Sequence, residues 1–117
     1  MIDSGIMTKE YIQHVTDIVG EGQDLTMPLS EIMDAALAKT KAKGSTTITM
    51  AYLGQDHILK TSNLGDSGYL LLRPTDGKLQ TLFRSESQQH YFNCPYQTGN
   101  HNLKPPSTQA QVQEHLV

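Results

Sequence analysis

Cysteine is nearly absent from this chain. Its 117 residues include one, Cys94, which excludes an internal disulfide framework and any cysteine-rich zinc site. Surplus basic charge is missing as well: nine Lys and Arg face twelve Asp and Glu, a net charge of −3 with histidine neutral. Without excess cations there is little counterion release to gain from a phosphate backbone, so no nucleic-acid partner is expected. Strictly apolar runs reach no further than Tyr69–Leu72, far short of the roughly 20 residues that cross a bilayer, so no membrane span is expected either. The segment from Met1 to Met7 contains Asp3 and lacks the basic start and apolar core of a secretory peptide. These absences are those of a soluble, intracellular, globular chain. With 37% hydrophobic residues over this length, one domain of modest size is the expectation.

What the chain does contain changes character at Ser45. Before it, apolar residues recur at helical spacing. Tyr11, Ile12, Val15, Ile18 and Val19 share a helix face, with Thr8 placed to cap the start and Gly20 and Gly22 to stop it. A second helix is predicted from about Pro28 to about Lys41, burying Leu29, Ile32, Met33, Ala36 and Leu37. Pro28 suits its first turn, and Lys39, Lys41 and Lys43 meet the negative end of its dipole.

After Ser45 the period becomes two. Thr46–Leu53, His57–Leu64, Gly68–Arg73 and Lys78–Phe83 read as strands, separated by turns at Gly54-Gln55-Asp56, Asn63-Leu64-Gly65-Asp66 and Pro74-Thr75-Asp76-Gly77. Short connections predict an antiparallel meander. The fold class expected is α+β, with helices over about 8–43, antiparallel strands over about 45–83 and an irregular tail over 84–117. Within that tail, Val112–Val117 has the pattern for one more short strand. Tyr69-Leu70-Leu71-Leu72 is apolar on both faces, so one sheet face is left for a second layer beyond the helices. The pattern is that of half a helix–sheet–sheet–helix sandwich.

Few residues offer chemistry. Histidines 14, 57, 90, 101 and 115 form no i, i+4 pair and no zinc spacing. Cys94, between Asn93 and Pro95, has no histidine placed to activate it. Gly44-Ser45-Thr46-Thr47 precedes a strand, whereas a phosphate loop feeds a helix N-terminus. Asp66 is the strongest candidate. Flanked by Gly65 and Gly68, its carboxylate can approach Mg²⁺ or Mn²⁺, which take oxygen ligands; the alternative, which local chemistry alone favours, is that it closes the turn by bonding nearby amides.

Gly44-Ser45-Thr46-Thr47, followed about 16 residues later by Asn63-Leu64-Gly65-Asp66-Ser67, resembles the metal-dependent serine/threonine protein phosphatases of the PP2C type. The segment from Arg84 through Gln88-Gln89-His90-Tyr91-Phe92-Asn93 to Gln97 resembles the PTC7-like branch, mitochondrial matrix phosphatases and their plant relatives. The resemblance covers roughly Met33–Gln97. It implies an α-β-β-α sandwich carrying a binuclear Mg²⁺/Mn²⁺ centre, whose bridging water supplies the hydroxide for in-line attack on a phosphoprotein substrate. Asp66 matches a position that serves an additional, weaker metal site, not the central pair. The family's early Asp-Gly-x-Gly-Gly motif is not matched by Asp3-Ser4-Gly5, and its late Asp-Gly and Asp-Asn motifs have no counterpart. The resemblance therefore implies a single incomplete phosphatase domain over 1–117, an internal fragment or truncated product, inactive alone for want of its main metal ligands. The alternative is a non-catalytic derivative that binds a partner. The exposed sheet face predicts self-association. The branch implies mitochondria or plastids, with no transit peptide visible.

Overall fold

The computed structural model describes residues 4–20, 27–92, 94–99 and 105–117; the side chains of Tyr91 and Cys94 lie outside the described set, as do Gly22 and His101. Helix α1 spans Ser4–Gly20 and α2 spans Leu29–Lys39. Thr8 lies inside α1, where its hydroxyl donates to the Ser4 carbonyl at 2.7 Å; the helix starts earlier than a Thr8 cap predicts. The buried stripe of α1 is also narrower than its apolar content. Met7 and Tyr11 are buried, Val15 and Ile18 pack beside them, and Ile12 and Val19 remain exposed. Each of those two follows a contact residue by one position, about 100° further round the helix, which carries it past the contact line. In α2 the buried residues are Ile32, Met33 and Ala36. The helix ends at Thr40, whose N–H bonds the Leu37 carbonyl and whose hydroxyl bonds that of Ala36, leaving Lys41 and Lys43 beyond it.

A carboxylate staples the helix pair. Glu10 on α1 accepts the backbone N–H groups of Lys41 and Ala42 at 2.8 and 3.0 Å, satisfying donors just past the end of α2. These two bonds, with a smaller contribution from His14 at 3.1 Å, hold the Glu10 carboxyl below its usual range. A lowered folded-state value means that the stabilisation is present above the unfolded-state carboxylate range and is lost as pH falls through the folded value. The unfolding temperature should therefore drop as pH falls into and below the ordinary carboxylate range, and Glu10→Gln should both lower it at neutral pH and flatten that drop. Circular dichroism melts across that range check this; parallel curves for the two proteins would refute it.

The strands are β1 (Ser45–Thr46), β2 (Ile48–Leu53), β3 (Ile58–Leu64), β4 (Leu70–Thr75), β5 (Lys78–Arg84), β6 (Gln89–Tyr91), β7 (Cys94–Pro95), β8 (Thr98–Gly99) and β9 (Gln111–Leu116), with a short helix α3 (Pro106–Gln109) before the last. The expected strand from Thr46 to Leu53 is broken at Thr47, and its two parts pair with different partners. β1 joins β8 through Ser45↔Gly99, while β2 joins β3 through Ile48↔Leu64 to Leu53↔Leu59.

The predicted meander does not form. β3 pairs on its second edge with β9, in the register Ile58↔Leu116 to Asn63↔Gln111, giving the order β2-β3-β9. β4 and β5 make a separate two-stranded sheet. Gly65, at φ +107°, turns the chain out of the plane before β4 can run beside β3. The tail is likewise not irregular over its described part, since it supplies the edge strand of the main sheet; the pattern at Val112–Val117 had that strand's position. Pro74 and Thr75 belong to β4, and the turn is Asp76-Gly77 alone, with φ 51° and 77°. Two positive φ angles mark the tight hairpin turn whose twist suits adjacent strands.

Alternation along β3 divides the layers. Leu64 packs with Ile48, Met7, Tyr11, Met33 and Ala36 on the helix side, where Ser62 also meets the Met33 sulfur. On the opposite face, Thr61 Oγ1 and His115 Nε2 both bond the Tyr69 hydroxyl, at 2.8 and 2.9 Å. Phe83 stacks on Tyr69 at 5.5 Å and lies 4.6 Å from the His115 ring. The β4–β5 hairpin thus reaches over the face left free by the helices, and does so with two aromatics while Leu70, Leu72, Leu79 and Leu82 stay exposed. This α+β arrangement is part of an α-β-β-α sandwich, two helices on an antiparallel sheet. Among the described residues no helix is long and apolar enough to cross a membrane.

Candidate functional site

The loop that ends β3 carries Asp66. Gly65 is buried, and a Cβ placed there would lie 2.3 Å from Thr47 Cγ2 and 2.5 Å from the Tyr96 carbonyl. No other residue type fits that approach at a positive φ. The loop is held from both sides. Gln88 Oε1 accepts the Gly65 N–H at 2.8 Å, and Ser67 Oγ bonds Thr47 Oγ1 at 2.7 Å. Between these anchors the Asp66 side chain is exposed and makes no ion pair among the described residues.

Asp66 opens onto a cleft of about 520 Å³, shared with Ser67, Tyr69, Arg84, Ser85 and Ser87. Its wall is fixed where Ser85 Oγ accepts the Tyr69 N–H at 2.9 Å. A free carboxylate beside hydroxyls fits one oxygen-ligand position of a hydrated Mg²⁺ or Mn²⁺. It does not fit a complete centre. No group of three His, Cys, Asp or Glu side chains converges among the described residues, whereas a hard cation held chiefly by protein needs several carboxylates.

The other candidates separate cleanly. His14 pairs with Glu10, His90 lies 4.5 Å from the Tyr96 ring, and His115 is built into the Tyr69–Phe83 cluster. His57 is exposed in the Gly54 turn at φ 62°. None of the four approaches Asp66 in a shared ligand group. Sequence reasoning missed Gln88, whose bonds to Gly65 span 23 residues; its only signal was its place in the Arg84–Gln97 segment. It placed Tyr11 on the apolar face of the first helix but not the bond its hydroxyl donates to the Met33 carbonyl at 2.8 Å, in a setting where burial pushes the phenol up to about 12.

No protein-family model matches the chain. Curated proteins do. It is 36% identical over 96 residues to "Probable protein phosphatase 2C 26" of Arabidopsis thaliana, covering 82% of this chain and 30% of that protein. It is 40% identical over 75 residues to the "Protein phosphatase PTC7 homolog" of Danio rerio, covering 63% of this chain and 23% of the relative. The chain therefore spans about a quarter to a third of the length of the relatives it matches. Among solved structures, that titled "X-ray structure of the photosystem II phosphatase PBCP" superposes with a TM-score of 0.84 at 25% identity, covering 99% of this chain and 44% of the other.

Proposed function

Since this chain belongs to the PP2C-type, PTC7-like protein phosphatases, we propose that it is the helix-and-strand portion of an enzyme that hydrolyses phosphoserine and phosphothreonine in proteins with Mg²⁺ or Mn²⁺. The observation that carries the reading is the Gly65-Asp66-Ser67 loop, pinned on both sides yet presenting a free carboxylate to an open cleft. Asp66 is then one metal ligand, and the carboxylates of the central pair come from sequence other than the described residues. On this reading the 117 residues do not turn over substrate by themselves.

Two measurements test it. Purified chain should show no Mn²⁺-dependent hydrolysis of p-nitrophenyl phosphate above background; robust turnover would defeat the claim that the main ligands lie elsewhere. Mn²⁺ should selectively broaden the amide resonances of Asp66 and Ser67, and Asp66→Ala should abolish that broadening while leaving the β2–β3 resonances in place. Equal broadening in the variant would remove Asp66 from the site.

One observation favours a second reading, a non-catalytic module that binds a partner or a second copy. Leu70, Leu72, Leu79 and Leu82 are exposed on the hairpin, and large apolar side chains exposed together on one element commonly mark an interaction site. Under that reading Asp66→Ala is without consequence, and the p-nitrophenyl phosphate assay stays blank even when the flanking family motifs are supplied.

A further inference from the structure

Four hydrogen bonds converge on Gln88, in the connection between β5 and β6. Its Oε1 accepts the Gly65 N–H at 2.8 Å and its own N–H donates to the Gly65 carbonyl at 3.0 Å. Its Nε2 donates to the Gln109 carbonyl at 2.9 Å, and its carbonyl accepts the Tyr96 N–H at 2.8 Å. The first two bonds grip both polar groups of one buried glycine. That glycine stands just past the last rung of the β2–β3 ladder, Ile48↔Leu64, so the sheet offers it no partner in that pairing. A buried amide and carbonyl left unmet would cost more than the bonds themselves are worth.

The next residue is Asp66. Its side chain is exposed and is tied to no side chain among the described residues, so its backbone, through the Cα–Cβ direction, sets the region its carboxylate can reach. That backbone is anchored on one side through Gly65 and on the other through Ser67. We propose that Gln88 is a positioning residue, whose two-handed grip on Gly65 fixes the Asp66 carboxylate at the cleft. The proposal rests on the reading of Asp66 as a cation ligand for its purpose, while the grip itself is tested independently of that reading. Gln88 also joins the loop to the chain entering β9, through Gln109. A simpler role, holding that C-terminal segment in place, must therefore be separated from positioning.

Two substitutions divide these roles. Gln88→Leu removes both side-chain bonds. Gln88→Glu keeps an acceptor for the Gly65 N–H but puts an oxygen where Nε2 donated to Gln109. Amide hydrogen exchange, read by NMR on the 117-residue chain, reports the Gly65 N–H directly. Positioning predicts about tenfold faster exchange of Gly65 in the Leu variant and near-native protection in the Glu variant. The Mn²⁺ concentration that half-broadens Asp66 and Ser67 should follow the same order, rising about tenfold in the Leu variant and little in the Glu variant.

Native Gly65 protection in the Leu variant would overturn the proposal. So would a Glu variant that loses Gly65 protection as fully as the Leu variant, because the Gln109 bond would then be what matters. Should the Leu variant fail to fold, the Glu variant decides alone, by keeping or losing Gly65 protection. If the native chain shows no broadening at Asp66, the cation reading fails, and the exchange results still decide the grip.

Discussion

Gly65→Ala should displace the Asp66 loop and lower the unfolding temperature by about 10 °C or more. Two independent penalties add at this position. The φ of +107° lies where a side chain is strained, at about 1–2 kcal/mol. The new Cβ would also sit 2.3 Å from Thr47 Cγ2 and 2.5 Å from the Tyr96 carbonyl, and such overpacking costs about 1–3 kcal/mol. Thr47 can yield by rotation only at the expense of its bond to Ser67, and the Tyr96 carbonyl belongs to backbone that Gln88 holds. Thr47→Ser removes the clashing methyl and keeps the hydroxyl. The double variant should therefore recover part of the lost stability, and not all, because the carbonyl contact persists, as does the approach to the residue-47 Cβ at 2.7 Å. Calorimetric or circular dichroism melts of the four proteins check this. A Gly65→Ala melt within two or so degrees of the native chain would show that the loop is not built as described.

Leu64→Ala should be worse, costing about 2–5 kcal/mol by transfer loss and cavity formation. Leu64 is fully buried, and it joins Ile48 of the neighbouring strand to Met7, Tyr11, Met33 and Ala36 of both helices. With Ile48, it is where the sheet's apolar face meets the helix pair. Against the roughly 5–15 kcal/mol available to a small domain, the expected result is a broad or absent unfolding transition. Leu79→Ala is the control. That leucine is 68% exposed at the hairpin, and a surface change of this kind stays within about 0.5 kcal/mol. Urea unfolding of the two variants gives the comparison, and similar midpoints would contradict the assignment of the core to the helix side of the sheet.

Those two leucines show how far sequence reading goes here. Both lie in segments of strand-like composition, and nothing in their immediate neighbours tells the buried one from the exposed one. Periodicity located the longer strands, β2 to β5 and β9, because alternation is a property of a few consecutive residues. It did not choose their partners. β3 presents the same backbone donors and acceptors to β4 as to β9, so the choice depended on where Gly65 sends the chain and on the bonds that Tyr69 makes to Thr61 and His115. Asp66 was legible as a candidate because glycines flank it; the residue that grips its loop was not, since Gln88 reaches Gly65 across 23 positions.

The sequence by itself determined the two helices, a turn at Asp76-Gly77 within the longer one expected, and the approximate positions of β2 to β5 and β9, and it singled out Asp66 as the candidate carboxylate. Each follows from sterics, periodicity or side-chain chemistry within about one to three turns of chain. Only the tertiary structure decided that the tail closes the sheet, that two aromatics bring the hairpin over its far face, and that Asp66 stands without other carboxylates or histidines grouped around it among the described residues. The scarcity of cysteine excluded one kind of metal site from the outset. Whether oxygen ligands assemble another depends on distances between remote segments, which local sequence does not encode.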